Sequence, residues 1–329
     1  MIMTHQLIAQ YIHWQPHLNA LFSALEAAEI PFLVLKGWAF IPDLYPDPSI
    51  GRPLGDVDLL VQPQKFSKAV RLILNLGYQP GSKHPNYGYD RKSSYTPKEL
   101  AFYNAAGVSI DLHSHIFPTF WSQAAYPMDM DVVWESRQLF TDWGGNSLER
   151  LSAELNFLHL ITHIVRHGLL DMNQNSYRDL VRLLEKYGSV LDWVQIRKLV
   201  VDWRLQSAFF FVRRTCEKGF QIQFPAALKD DWQPGSLRLW FVDRILTPLW
   251  NLHPGGEHWL LKSLLTLALV DQPGQAFGLV WDVLFPTDEA RYHLHGYSLS
   301  LFRHYQVLLS RSFGWKRKEL WPLTPPMGD

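Results

Sequence analysis

Asp56 and Asp58 stand two positions apart in "GRPLGDVDLLV", residues 51 to 61, at the head of an apolar run. Strand alternation over 56 to 61 sends Val57, Leu59 and Val61 to one face and Asp56, Asp58 and Leu60 to the other. Two carboxylates side by side repel each other, and burying them is costly unless a cation or a basic partner holds them. Another carboxylate, Asp111, follows in "GVSIDLHSH", on the face opposite Val108, Ile110 and Leu112 and shared with His113. Carboxylates on neighbouring strands are hard oxygen donors, suited to Mg²⁺ whose shell is completed by water and substrate phosphates. Two such ions roughly 3.5–4 Å apart stabilise the attacking and leaving oxygens of an in-line phosphoryl displacement. In that scheme Asp56 and Asp58 bridge the ions. Asp111 binds the ion that activates the acceptor hydroxyl and acts also as the base. Because like charges are removed, Asn at position 56 or 58 is expected to leave the fold intact or slightly more stable.

A D-x-D pair also arises as a solvated acidic pair at a strand start, so its neighbours matter. Upstream, "IPFLVLKG" reads as a short apolar strand ending in Lys36 and Gly37, and glycine lets backbone approach a phosphate closely. Arg52 precedes Asp56 on a loop stiffened by proline and glycine, where a guanidinium fork could grip pyrophosphate.

The elements that must carry these residues follow from periodicity. Residues 17 to 29 place Leu18, Leu21, Phe22 and Leu25 at helical spacing with Pro16 near the start. "FIPDLYPDPSIGRPLG" is read as loop, and "KFSKAVRLILNLGY" as an amphipathic helix capped by Gly77. After a turn-rich stretch over 79 to 97, "ELAFYNAAGVSIDLHSH" reads as a hairpin turning near Asn104 to Gly107. From about Ser152 helical periodicity dominates, including "WVQIRKLVVDWRLQSAFFFVRRTCEKG" as one segment. The sequence therefore predicts an α+β protein, with a mixed α/β domain over 1–145 and a helical domain over 146–329.

Of the 329 residues 47% are hydrophobic, enough for a substantial core. Lys+Arg and Asp+Glu are both 31, so no general attraction to nucleic acid or anionic membrane is expected. Cys216 is the only cysteine, which excludes an internal disulfide framework and a cysteine-based zinc cluster and fits a reducing cytoplasm. The N-terminal stretch has no basic residue before Lys36, unlike a secretory signal. "WLLKSLLTLALVDQPG" is too short and too interrupted to span a bilayer and reads as a buried helix.

His159, His163 and His167 share one face of a helix, and the last two have the spacing of paired metal ligands. No glutamate lies between them as in the zincin motif. The row has three readings: structural histidines, a zinc pair, or a wall of the site together with Arg178 and Asp179 of the next helix. His113 belongs either to the site or to the sheet. "GWKRKELW" reads as a solvated helix end rather than an RNA-binding patch, and Cys216 as a core residue.

"FLVLKGWAFIPDLYPDPSIGRPLGDVDLLV", a helix ending "LGY" and then "GVSIDLH" resemble the uncharacterised nucleotidyltransferase family of the DNA polymerase beta-like superfamily. The helical segment "ELNFLHLITHIVRHG" with "RDLVRLL" is more weakly similar. The resemblance implies a mixed sheet with flanking helices followed by a mainly helical domain, with Gly37, Asp56, Asp58 and Asp111 at the family's site positions. It implies transfer of an NMP group from an NTP to a hydroxyl or phosphate acceptor, with two Mg²⁺ ions or Mn²⁺ in their place. The superfamily's Gly-Ser or Gly-Gly turn is Lys36-Gly37-Trp38 here, which supplies an ammonium where a serine hydroxyl would meet the triphosphate. Two other outcomes fit the same residues. One is a degenerate fold binding a nucleotide or a protein, and the other a toxin-like enzyme acting on tRNA. An RNA acceptor is not favoured by the neutral net charge.

Overall fold

A computed structural model of the protein describes residues 2–46, 51–81, 99–117, 120–170, 175–225, 228, 232–251, 259–295 and 300–313. Helix α1 (Ile2–Ala27) leads into strand β1 (Phe32–Leu35), helix α2 (Lys36–Leu44) and strand β2 (Val57–Val61). Helix α3 (Pro63–Asn75) is followed by β3 (Gln79–Pro80), β4 (Glu99–Tyr103) and β5 (Ser109–His113). Two short helices, α4 (Phe120–Ala125) and α5 (Met130–Glu135), precede the hairpin β6 (Gln138–Thr141) and β7 (Ser147–Arg150). The strands form one mixed sheet in the order β3-β4-β5-β2-β1-β7-β6. Strand β2 runs antiparallel to β1 and parallel to β5, and β7 joins β1 in parallel.

Alternation divides the sheet into two faces. Phe32, Val34, Val57, Leu59, Val61, Ile110 and Leu112 join one core with the buried stripes of α1 and α3. Leu33, Leu35 and Leu60 face the other way, into a core built chiefly by the helical half. That half begins with α6 (Ala153–Gly168), α7 (Asn175–Tyr187), α8 (Trp193–Asp202) and α9 (Gln206–Phe220). Ser152 caps α6 by accepting from the Leu155 amide, and Asp192 caps α8 by accepting from Val194 and Gln195. Further helices lie at Ser236–Phe241, Thr247–Asn251, Trp259–Leu269, Pro273–Leu284, Asp288–His295 and Leu301–Phe313.

Several sequence expectations change. Helix α1 starts well before Pro16, which sits inside it. The missing donor is tolerated because Leu7, Tyr11 and Trp14 before the proline are buried on the same core as Leu18, Leu21 and Leu25 after it. The stretch read as loop from Phe40 opens as the end of α2, whose apolar residues Phe40, Ile41 and Leu44 are buried. The long segment from Trp193 is two helices, broken where Arg204 takes a left-handed φ of 55°. The hairpin of β6 and β7 straddles the expected division at 145/146, so that β7 joins the sheet from beyond it. The apolar helix Trp259–Leu269 buries Leu265 and Leu269 but leaves Leu260 exposed. Most of the turn-rich stretch and the whole of "GWKRKELW" lie outside the described residues.

The hairpin reading holds. Asn104 closes the β4–β5 turn by accepting from the Ala106 and Val108 amides, and Gly107 supplies the positive φ of 75° that the turn requires. Gly77 does the same after α3, at φ 86°. Cys216 is a free, buried core residue. No helix among the described residues is long and apolar enough to cross a membrane.

Candidate active site

The register brings the carboxylates together. Asp58 on β2 is paired in parallel with Asp111 on β5, and both lie on the face opposite the α1–α3 core. Antiparallel pairing also sets Leu35, the residue before Lys36, opposite Asp58, and Glu99 of β4 opposite His113. One ligand atom each from Asp58, Asp111 and His113 lie within 4.8 Å of one another. Asp56 falls just before β2, partly exposed, outside that close group. Asp58 and Asp111 thus stand together with His113, while Asp56 still acts on both carboxylates through its charge.

Asp58 is not left alone with like charges. Lys36 Nζ lies 2.7 Å from its Oδ1, and His113 Nε2–H donates to the same oxygen at 2.9 Å. Burial pushes the Asp58 carboxyl up, but Lys36 and His113 outweigh it and hold the group far below the ordinary carboxylate range. Among the described residues Asp111 has no such ion pair. Burial, then the charges of Asp56, Asp58 and Glu99, push it up to about 7. Asp56 is raised by burial and by Asp58.

Glu99 and Arg166 were not singled out by the sequence, yet they extend the cluster. Arg166 of α6 meets Glu99 at 3.1 Å and, against the effect of burial, keeps its carboxyl below the usual value. Strand alternation after Asp111 and His113 puts Glu99 on their face once the β4–β5 register is known. No short-range signal marks Arg166.

Helix α6 carries the histidine row. His163 Nδ1 lies 2.7 Å from Ser176 Oγ of α7, and the His163 and His167 rings are 4.3 Å apart. Burial holds His159 and His163 well below the ordinary imidazole value, so both are neutral at pH 7, whereas His167 at the end of the row is exposed. Lys36 contributes to the lowering at both of the buried pair. Among the described residues the close ligand group contains none of the three.

Arg52 is engaged elsewhere. Its Nε lies 2.8 and 2.9 Å from the two oxygens of Asp179 on α7, and its second terminal nitrogen donates to Oδ2 at 2.8 Å. Tyr45 Oη–H donates to the same carboxylate at 2.6 Å. Asp179 is fully buried and its neighbour Arg178 is exposed. The fork expected to hold pyrophosphate instead joins the loop before β2 to the helical half. A Cβ at Gly37 would lie 2.7 Å from Arg52 Nη1 and 2.9 Å from Leu54 Cδ2. With Arg52 held by Asp179 neither contact can yield cheaply. Gly37→Ala is therefore expected to lower stability by about 1–3 kcal/mol, read as a shift in the denaturation midpoint.

Asp111 also makes a pH prediction. Its folded-state value lies above that of an unfolded aspartate, so between these two values the native state holds more protons. Stability then falls as pH rises from about 4 through about 7. Asp58, shifted the other way, contributes stability that is fully present above pH 4 and lost only in stronger acid. With chelator present, the melting temperature should decline from pH 5 to 8 and Asp111→Asn should flatten that decline. An unchanged slope in the variant would contradict the assignment.

The model of a family described as uncharacterised nucleotidyltransferase matches residues 4–221, which include every strand and all the residues above. The chain belongs to this family, and its class is that of a nucleotidyltransferase. Among solved structures it is similar to the lincosamide antibiotic adenylyltransferase LnuA in its lincomycin-bound form. The identity is 14% over 50% of this chain and 93% of that one, with a TM-score of 0.34. The antibiotic-resistance factor ANT(2'')-Ia is 12% identical over 56% of this chain and 87% of its own, with a TM-score of 0.36. An antigenic nucleotidyltransferase-like protein from Paracoccidioides brasiliensis is 12% identical over 66% and 96%, with a TM-score of 0.38. No curated protein matches the chain.

Proposed function

We propose that the protein is a divalent-metal-dependent nucleotidyltransferase that moves an NMP group from an NTP to a hydroxyl or phosphate acceptor and releases pyrophosphate. The observation that carries this reading is the lateral pair Asp58–Asp111 on parallel strands, with Asp111 raised by burial and by neighbouring carboxylates. A half-buried carboxylate pushed up to about 7 in this way is a place that a cation would relieve. The donor set suits Mg²⁺ or Mn²⁺, with Asp58 and Asp111 as ligands and Asp56 at the mouth. When bound, the ion supplies charge stabilisation for the transferring phosphoryl group. His113, whose Nε2–H donates to Asp58, fixes the orientation of that carboxylate. Asp111, which would stand beside the ion, is also the carboxylate placed to take the acceptor's proton. The neutral His159 and His163 of α6 give the acceptor a hydrogen-bonding wall without added charge. A reducing compartment such as the cytoplasm suits the single buried thiol of Cys216.

Lys36 is the residue to meet the triphosphate. Loss of one charge-assisted hydrogen bond costs ~1.5–3 kcal/mol, so Lys36→Met should weaken NTP binding in Mg²⁺ roughly ten- to a hundredfold by calorimetry. Equal affinity would make Lys36 a purely structural partner of Asp58.

One observation favours a second reading, a nucleotide- or protein-binding module without turnover: Asp58 is already paired with Lys36 and hydrogen-bonded to His113. Incubation with each NTP, Mg²⁺ or Mn²⁺ and a set of hydroxyl and phosphate acceptors separates the two. Pyrophosphate release abolished by Asp111→Asn supports the enzyme. Nucleotide binding without release supports the module.

A further inference from the structure

Lys36 is seated where a cation bound by the carboxylates would have to compete with it. Its ammonium lies 2.7 Å from Asp58 Oδ1, with only 11% of one side chain and 6% of the other exposed. Water therefore cannot readily replace either partner. The backbone at Lys36 is left-handed, with φ 44°, at the junction of β1 and α2. A lysine rarely adopts this conformation, and it persists where the surroundings over-determine it. The Asp58 contact is one such determinant, since the β1–β2 register delivers Lys36 next to Asp58. A lysine head is also a compact charge on a flexible stem, able to exchange one anion for another.

Resting on the nucleotidyltransferase reading, we propose that Lys36 is the resident counter-ion of Asp58 and must transfer to the phosphates of an incoming NTP before Asp58 can accept a divalent cation. Cation and nucleotide then enter as one unit, and the protein alone takes up divalent ions weakly. This couples metal loading to substrate through one side chain. No bond is made or broken in the exchange: an ammonium moves from a carboxylate to a phosphate, and the cation takes the vacated oxygen.

The test is Mn²⁺ titration of the full chain without nucleotide, with free Mn²⁺ followed by electron paramagnetic resonance. Lys36→Met should bind Mn²⁺ at least tenfold more tightly than the parent. Adding Asp58→Asn to that variant should abolish the gain, because the freed oxygen is then lost. Should Lys36→Met fail to fold, Lys36→Gln keeps a neutral donor for Asp58 and should shift affinity in the same direction. Equal, measurable Mn²⁺ binding by parent and variant overturns this inference and leaves the nucleotidyltransferase reading standing. Absence of binding by the variants at millimolar Mn²⁺ overturns the inference alone, and absence of Mn²⁺ uptake by the parent even with NTP present overturns the nucleotidyltransferase reading as well.

Discussion

Asp58→Asn and Asp111→Asn are expected each to reduce nucleotidyl transfer by ~10³-fold or more, because a metal-ligand carboxylate supports several kcal/mol of transition-state stabilisation. Their effects on stability should have opposite signs. Asp111 carries a charge that burial and three neighbouring carboxylates oppose, so its Asn variant should be more stable than the parent at pH 8. Asp58 is the buried partner of Lys36 and His113. Removing its charge strands an ammonium and should cost about 3–5 kcal/mol. This reverses the expectation that Asn at 58 leaves the fold intact or slightly more stable, which considered only Asp56–Asp58 repulsion. Pyrophosphate release and guanidinium unfolding on the same preparations check both parts. An Asp58→Asn protein with near-parental turnover would remove the carboxylate from the site.

Arg52→Ala is expected to destabilise the protein by about 3–5 kcal/mol, since it leaves the fully buried Asp179 carboxylate, among the described residues, with Tyr45 as its side-chain partner. Asp179→Ala should cost a similar amount by stranding the guanidinium. Exchanging both, as Arg52→Met with Asp179→Leu, should recover much of the loss because no unpaired charge remains. Arg52→Lys should fall between, for one ammonium cannot reproduce a fork that meets both carboxylate oxygens. Urea unfolding of the four variants reads this directly. Additive losses in the double variant would mean that the two residues act separately.

Much of the site could be read from alternation. Asp58 with Leu60, and Asp111 with His113, fall opposite Val57, Leu59, Ile110 and Leu112 in any regular strand, and the structure keeps that division. What alternation cannot supply is register. The Lys36–Asp58 contact depends on Leu35 standing opposite Asp58 across an antiparallel pair, and Glu99 joins only because it stands opposite His113. The Arg52–Asp179 bond links residues 127 apart, far beyond any local pattern. The helix running through Pro16 and the one running past Phe40 escape the local pattern for a related reason. Proline and turn-rich composition argue locally for breaks, whereas buried neighbours such as Trp14 and Ile41 hold helix through them.

The parallel pairing of β1 with β7 has a consequence for how the chain assembles. Strand β1 leaves the ribosome early, but the edge that β7 will cover stays open until residue Arg150 has been made, since Val34 pairs with Arg150. Until then Leu33 and Leu35 also lack the α6 side of their core. The nascent N-terminal portion thus presents an unpaired apolar edge, the kind of surface to which chaperones bind and at which chains join one another. The seven-stranded sheet cannot be complete before β6 and β7 are made, so the carboxylate pair rests on a scaffold whose completion depends on sequence downstream of it.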